Sequence, residues 1–234
     1  MTLPLIAIDG PAGVGKTSTA CTVASRLGIP FLDTGAMYRA VTWVVTKNGV
    51  NVTDVNSINR LIARTQFEFA QGLRGVHFWV NGEEITDQLR TPEITRAVTP
   101  VCEVHDVRVY LVNLQRKWVA RGFGVMEGRD IGTVVLPKAE LKIFMTAKPE
   151  IRALRRAKEL GIADDEKAVA KLSKEIAERD RRDMEREDSP LRQANDAITL
   201  DNTEMSFDEQ VNKVILMAAE QFSLNLYTAV RPVG

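Results

Sequence analysis

Leu5-Ile6-Ala7-Ile8 is an unbroken apolar run that stops at Asp9-Gly10, the pattern of a strand buried on both faces of a parallel sheet. A Gly-rich stretch follows, and amphipathic spacing over Lys16–Leu27 predicts a helix. Ile29-Pro30-Phe31-Leu32 predicts a second strand that ends at Asp33-Thr34-Gly35, from which another helix runs through Ala36-Met37-Tyr38-Arg39 to Lys47. Strand, helix, strand, helix is the order of a parallel sheet whose ligands gather at the carboxyl ends of its strands.

Between 66 and 86 the period shortens to two. Phe67-Glu68-Phe69 and Val76-His77-Phe78-Trp79-Val80 predict short antiparallel strands, with turns at Gly72, Gly75 and Asn81-Gly82. Helical spacing returns over 107–121, and Gly124-Val125-Met126 and Leu141-Lys142-Ile143-Phe144-Met145 predict buried strands. Residues 150–188 are dense in charge and predict a solvated helical hairpin, interrupted at Gly161 and closed by Ser189-Pro190. Ala197-Ile198-Thr199-Leu200 predicts a last strand. The capping box Ser206-Phe207-Asp208-Glu209 then opens a helix with Val211, Val214, Ile215, Ala218 and Phe222 on one face. Residues 224–234 carry no assignable signal.

Composition adds limits to this α/β pattern. The chain has 234 residues and 44% apolar content, enough for one sizeable core with small insertions. Lys plus Arg and Asp plus Glu balance at 31 each, so no bulk basic field draws it to nucleic acid or an anionic membrane. Cys21 and Cys102 fit no metal-ligand spacing and are expected as small core thiols. Neither a signal peptide nor a membrane anchor is expected, because no apolar run approaches the roughly 20 residues of a bilayer span. A cytoplasmic location and a monomer are the resulting expectations.

Gly10-Pro11-Ala12-Gly13-Val14-Gly15-Lys16-Thr17 matches G-x-x-x-x-G-K-[ST] at every fixed position. It follows a predicted strand and opens a predicted helix, so that backbone N–H groups and the helix N-terminus converge on one anion, with Ser18 in the first turn. Lys16 can bridge the β- and γ-phosphates of ATP, and the Thr17 hydroxyl can ligate Mg²⁺. The guanine-reading Asn-Lys-x-Asp and the switch Asp-x-x-Gly of a GTPase are both missing, which favours phosphoryl transfer over a GTP switch. Two carboxylates could complete the metal site: Asp33 at the end of strand two, and Glu127 directly after Gly124-Val125-Met126.

Transfer between two anions requires cations on both substrates. Arg179, Asp183 and Arg186 fall at i, i+4 and i+7 on one predicted helical face, and Arg152, Arg155 and Arg156 cluster in the preceding helix. Such a hairpin is either a solvated charged face or a lid that closes over phosphates and excludes water. Arg39, Arg129 and Asp130 fall at strand-to-loop ends, where an α/β sheet binds its ligands. These residues point to a P-loop phosphotransferase. A small-molecule kinase of the shikimate or gluconate type is the alternative enzyme, although the β insert argues against it. A non-catalytic ATP-binding module is the alternative outside enzymes.

Ile8-Asp9-Gly10-Pro11, Leu32-Asp33-Thr34-Gly35-Ala36-Met37-Tyr38-Arg39, Gly128-Arg129-Asp130-Ile131-Gly132-Thr133-Val134-Val135 and Glu178-Arg179-Asp180-Arg181-Arg182-Asp183 together resemble bacterial cytidylate kinases, of the nucleoside monophosphate kinase group. The resemblance covers essentially the whole chain. It implies a P-loop NTPase-like three-layer α/β fold with a CORE (1–63, 105–149, 190–234), an NMP-binding insert (64–104) and a LID (150–189). It also implies transfer from ATP, with Mg²⁺, to CMP or dCMP. Lys16, Arg129, Arg186 and Asp33 would form the catalytic set. Arg39, Arg129 and Arg186 would hold the acceptor phosphate, and Arg179 with Asp183 would reach the sugar. Thr99, Arg108 and Asp130 would read cytosine, Thr34 would join these CMP contacts, and Arg152 and Arg156 would face ATP. Thr34, Thr99 and Glu127 stand where Ser, Ser and Asp can occur, and they keep the hydroxyl or carboxylate.

Overall fold

The computed structural model describes residues 4–72 and 75–224. The tail from 225, to which the sequence assigns nothing, lies outside the described residues. The chain divides into two compact units, one of 1–30 with 122–234 and the other of 31–121.

In the first unit a parallel sheet runs in the order β6-β1-β7-β8: β1 is Leu5–Asp9, β6 Gly124–Gly128, β7 Leu141–Thr146 and β8 Ile198–Asp201. Strand β1 is hydrogen-bonded on both sides, with Ile8 opposite Glu127 and Ile143, and Asp9 opposite Gly128 and Phe144. Ile6, Ala7 and Ile8 are buried, as a strand covered on both faces must be. Helix α1 (Lys16–Leu27) leaves the phosphate loop through Gly15 at φ 91, and a Cβ on Gly10 would run into the backbone carbonyl of Met145.

The charged segment forms two helices, α6 (Pro149–Glu159) and α7 (Glu166–Glu185), the first stopping beside Gly161 at φ 67. They are less solvated than their composition predicts. Arg152, Ala153, Ala157, Ile176, Asp180 and Asp183 are buried, and Ala12 of the phosphate loop packs with Ala153 and Ile176. The last helix, α8 (Phe207–Phe222), opens on the expected capping box, and Val211, Val214, Ile215 and Ala218 face the core with Phe222 half-buried. Among the described residues no helix is long and apolar enough to cross a membrane.

The second unit begins with β2 (Phe31–Asp33), which starts two residues later than expected and ends at Asp33, and α2 (Thr34–Lys47). Its three-stranded antiparallel sheet joins β3 (Phe67–Gly72), β4 (Gly75–Val80) and β5 (Glu83–Glu84). Asn81 at φ 49 and Gly82 at φ 82 make the two-residue β4–β5 turn, in the left-handed pair of conformations that matches strand twist. Among the described residues the unit also holds the α-helices α3 (Val55–Ala63), α4 (Pro92–Glu103) and α5 (His105–Trp118), with short 3-10 turns at Thr86–Arg90 and Val119–Arg121. The periodicity of 66–86 and of 107–121 anticipates the sheet and α5, but not α3 or α4. Both cysteines are half-buried thiols rather than core residues.

Candidate active site

The phosphate loop joins β1 to α1, and its conformation is held from behind by residues far away in sequence. Asn202 donates through Nδ2 to the Val14 carbonyl at 2.8 Å and to Gln210 Oε1 at 2.5 Å, while Gln210 Nε2 donates to Thr19 Oγ1 at 2.8 Å. Arg155 grips Asn202 twice, at 3.0 and 2.7 Å. On the α7 side, Asp180 Oδ1 accepts the Ala12 amide at 2.9 Å, and its other oxygen pairs with the Arg152 guanidinium. Arg152 also donates to the Ala12 carbonyl at 2.9 Å and to the Ala147 carbonyl at 3.1 Å. Both polar groups of the Ala12 backbone are thus taken by one buried ion pair.

These contacts revise the expected arginine cluster. Arg152, Arg155 and Arg156 diverge, the first to the phosphate loop, the second to Asn202 and the third to Glu159 on the surface at 2.7 Å. Periodicity places such residues on neighbouring faces but does not choose their partners.

Lys16 is buried, and its Nζ donates to the Pro11 carbonyl at 2.7 Å. Burial, reinforced by the nearby Arg129 and Arg179 guanidinia, lowers its ammonium to about 7, with Glu127 and Asp183 pulling the other way. Thr17 Oγ1 donates to Glu127 Oε1 at 2.6 Å. A hydroxyl and a carboxylate so placed suit a hard cation that prefers oxygen ligands. Ser18, exposed in the first turn of α1, donates to the Gly15 carbonyl at 3.0 Å.

Arg129 and Asp130 lie just past the end of β6, followed by a single π-helical turn, Ile131–Val135. Arg129 Nε donates to Asp183 Oδ2 at 2.8 Å. Arg186 lies 3.6 Å from Asp183 Oδ1 and 3.7 Å from Asp130 Oδ1, and its Nε donates to the Ser189 carbonyl at 2.7 Å. Helix α7 ends at Glu185, and Arg186 is already extended at ψ 143. Its own N–H still bonds the Arg182 carbonyl at 3.0 Å and its φ of -58 is helical, so it meets Asp183 as an i, i+3 neighbour on the face that the spacing predicts, while the chain beyond it leaves the helix. Burial pushes the Asp183 carboxyl up, but Arg129, Arg179 and Arg186 outweigh it and hold the group below its ordinary value. The same pairing raises Arg129 against the opposing effect of burial.

Sequence reasoning gave no individual role to Asp9, Asp180, Asn202 or Gln210. Asp9, buried at the last position of β1, accepts the Ile131 and Gly132 amides at 2.8 and 2.7 Å. A carboxylate directly before the phosphate loop was the one available signal for it.

Within the second unit, Asp33 caps α2 by accepting the Ala36 amide at 2.9 Å and pairs with Arg90 at 2.7 Å. Arg39 donates to Thr95 Oγ1 at 3.0 Å. Buried Arg108 stacks 5.4 Å from the Tyr38 ring centre and donates to the Cys102 carbonyl at 3.2 Å. Thr34 is buried at the start of α2, and Thr99 is half-buried in α4.

Comparison with known proteins agrees with this phosphate-handling apparatus. Residues 6–220 match the family model described as cytidylate kinase. The cytidylate kinase of Carboxydothermus hydrogenoformans is 45% identical over 210 residues, which cover 90% of this chain and 95% of that protein. That of Listeria innocua is 46% identical over 219 residues, covering 92% and 96%. A bifunctional pantoate ligase/cytidylate kinase of Synechococcus sp. is 45% identical over 217 residues, which make up 92% of this chain but 40% of that protein. Among solved structures, a gluconokinase from Sinorhizobium meliloti has a TM-score of 0.51 at 13% identity, with 97% of this chain and 98% of that one covered, a likeness of fold alone. A match that spans both the phosphate loop and the arginine-rich helices, at such identity to full-length relatives, means that the chain belongs to the cytidylate kinase family.

Proposed function

We infer that this protein transfers the γ-phosphate of ATP to CMP, giving ADP and CDP, and that dCMP is also an acceptor. The observation that carries the chemistry is the complete phosphate loop with Lys16 buried at its end, where the Arg129 and Arg179 guanidinia act on it as like charges that a polyphosphate would stabilise. In the donor role, the backbone of residues 10–18 cradles the ATP phosphates while Lys16 turns from the Pro11 carbonyl to the transferring group. Thr17 and Glu127 would hold Mg²⁺, which when bound neutralises charge on the β- and γ-phosphates. Arg152 and Arg156 serve the donor side, Arg152 through the loop it straps.

For the acceptor, Arg39, Arg129 and Arg186 hold the CMP phosphate, and Arg179 with Asp183 binds the sugar. Cytosine presents an N4 amino donor beside N3 and O2 acceptors. Asp130 accepts from N4, Arg108 donates to the ring acceptors, and Thr99 completes the edge with its hydroxyl. Thr34 supports the acceptor as well, and Asp33 orders this segment through its cap and its bond to Arg90. Uracil would set O4 against the carboxylate and leave arginine donors unpaired, a mismatch that polar pockets reject. Segment 64–104 acts as the acceptor-binding insert and 150–189 as the lid. The balanced charge offers no bulk basic field for nucleic acid or an anionic membrane, which suits free nucleotides as substrates; the enzyme is taken as a cytoplasmic monomer.

A coupled ADP-release assay over the common ribo- and deoxyribonucleoside monophosphates tests this function. CMP and dCMP should be the best acceptors. No turnover with any nucleoside monophosphate would favour an ATP-binding module without catalysis.

A further inference from the structure

Asp9 stands between the two halves of the reaction. It is the last residue of β1, directly before Gly10, and its two oxygens accept the amides of Ile131 and Gly132, the residues that follow Arg129 and Asp130. The carboxylate is buried, so both contacts are charge-assisted bonds made away from water. Gly132 permits the approach: a Cβ there would lie 3.4 Å from Asp9 Oδ2 and 3.2 Å from the Lys142 side chain. The tethered segment is also the single π-helical turn Ile131–Val135, a geometry that the chain keeps only where neighbours fix it.

We propose that Asp9 is a positioning residue for the acceptor: its carboxylate ties the turn after Asp130 to the root of the phosphate loop and so sets where Arg129 and Asp130 meet CMP. This assignment rests on the acceptor role given to those two residues above. Asp9 itself touches no reacting atom.

Titration supports the geometry. Burial raises the Asp9 carboxyl to about 6, with Asp130 adding to the rise and the Gly132 and Ile131 amides and Lys16 opposing it. Lys142 also packs on this turn, and its ammonium is engaged by Asp196 at 2.8 Å. Protonation of Asp9 removes one acceptor and releases one of the two amides, loosening the turn as the pH falls through this range.

The test is Asp9→Asn, which keeps the volume but turns an NH2 toward a backbone amide. KM for CMP should rise about tenfold and the CMP:UMP ratio of kcat/KM should fall by a similar factor, with KM for ATP within about threefold of the parent, as expected for loss of one charged hydrogen bond worth roughly 1.4 kcal/mol. The acid limb of kcat/KM for CMP should be steeper in the parent than in the variant, because the CMP phosphate, with a second pKa of about 6, titrates in both while Asp9 titrates only in the parent. Gly132→Ala, which displaces the same turn from the other side, should give the same acceptor-specific defect and covers the case in which Asp9→Asn does not fold. A uniform loss in kcat with unchanged KM, selectivity and acid limb would mean that Asp9 only stabilises the fold, and would overturn the proposal. Asp130→Asn is run in parallel. If it lowers selectivity while Asp9→Asn and Gly132→Ala change neither selectivity nor KM for CMP, the base-reading role stands and the positioning role fails. If KM for CMP rises in the Asp9 and Gly132 variants but selectivity is unchanged in all three, Asp9 positions Arg129 and the base-reading role of Asp130 fails instead.

Discussion

The Thr17 hydroxyl donates to Glu127 Oε1 at 2.6 Å, joining the last position of the phosphate motif to the strand beside it. Of the two carboxylates that the sequence offers for the metal, Glu127 is therefore the one seen bonded to the motif, whereas Asp33 is engaged as a helix cap and by Arg90. Glu127→Gln keeps the hydrogen bond but removes the charge. The Mg²⁺ concentration for half-maximal activity should rise about 10- to 100-fold, the usual effect of losing a group that orients or supplements a metal ligand. An unchanged Mg²⁺ titration would take Glu127 out of the metal site.

Arg152 and Asp180 form a buried pair that holds both the amide and the carbonyl of Ala12. Removing one partner strands the other charge in a dry site, so Arg152→Ala should cost about 3–5 kcal/mol in urea unfolding. Replacing both, as in Arg152→Leu with Asp180→Leu, should restore part of that stability, because no charge is left stranded although the Ala12 amide and carbonyl lose their partners. KM for ATP should stay raised in the double variant, since Ala12 has lost both anchors. Recovery of ATP affinity along with stability would show that the pair serves the fold alone.

Sequence legibility followed the range of the interaction. The phosphate motif is contiguous, so Lys16 and Thr17 were named from eight residues, and the Ser206–Glu209 capping box was legible for the same reason. The straps on that loop join residues 168 and 188 positions apart, and they use Asp and Asn, types too common on surfaces to stand out. Helix α3 did carry a local signal, an Asp54 cap before buried Ile58, Leu61 and Ile62, but nine residues are few for a periodicity. In α4 the internal Pro100 interrupts a pattern that Thr91 and Pro92 open well. The i, i+3 contact of Arg186 with Asp183 was legible from spacing, whereas its bond to the Ser189 carbonyl, made where the chain leaves the helix, was not.

Asp183 holds its proton less tightly than a free carboxyl, because Arg129, Arg179 and Arg186 together outweigh its burial. With the folded value depressed, its contribution to stability is present above the ordinary carboxylate range of about 4 and is lost as pH falls through the folded value. Asp183→Asn should therefore lower stability at neutral pH by about 3 kcal/mol, the scale of breaking a buried pair, and lose less than the parent between pH 5 and pH 2. Parallel acid-unfolding curves for the two proteins would remove Asp183 from the acid response.

Lys16 is the opposite case, a buried ammonium lowered from 10.5 to about 7 by desolvation and by Arg129 and Arg179. Between those values the unfolded chain binds more protons than the folded one at this site, so its contribution makes stability rise with pH across the window. Lys16→Met should raise the Tm of the nucleotide-free protein at neutral pH, because it removes a charge that burial and two guanidinia disfavour, and it should flatten that part of the pH dependence. The same change should lower kcat at least about 100-fold, the scale of losing one electrostatic stabiliser of the transition state. ATP adds negative charge to that which Glu127 and Asp183 already bring, and its arrival should restore the proton. Calorimetry of ATP binding near pH 8, in buffers of different ionisation enthalpy, should then show net proton uptake by the parent protein and much less by Lys16→Met. Equal proton uptake in both proteins would assign the proton to another group, and none in the parent would mean that Lys16 is already charged before the nucleotide binds.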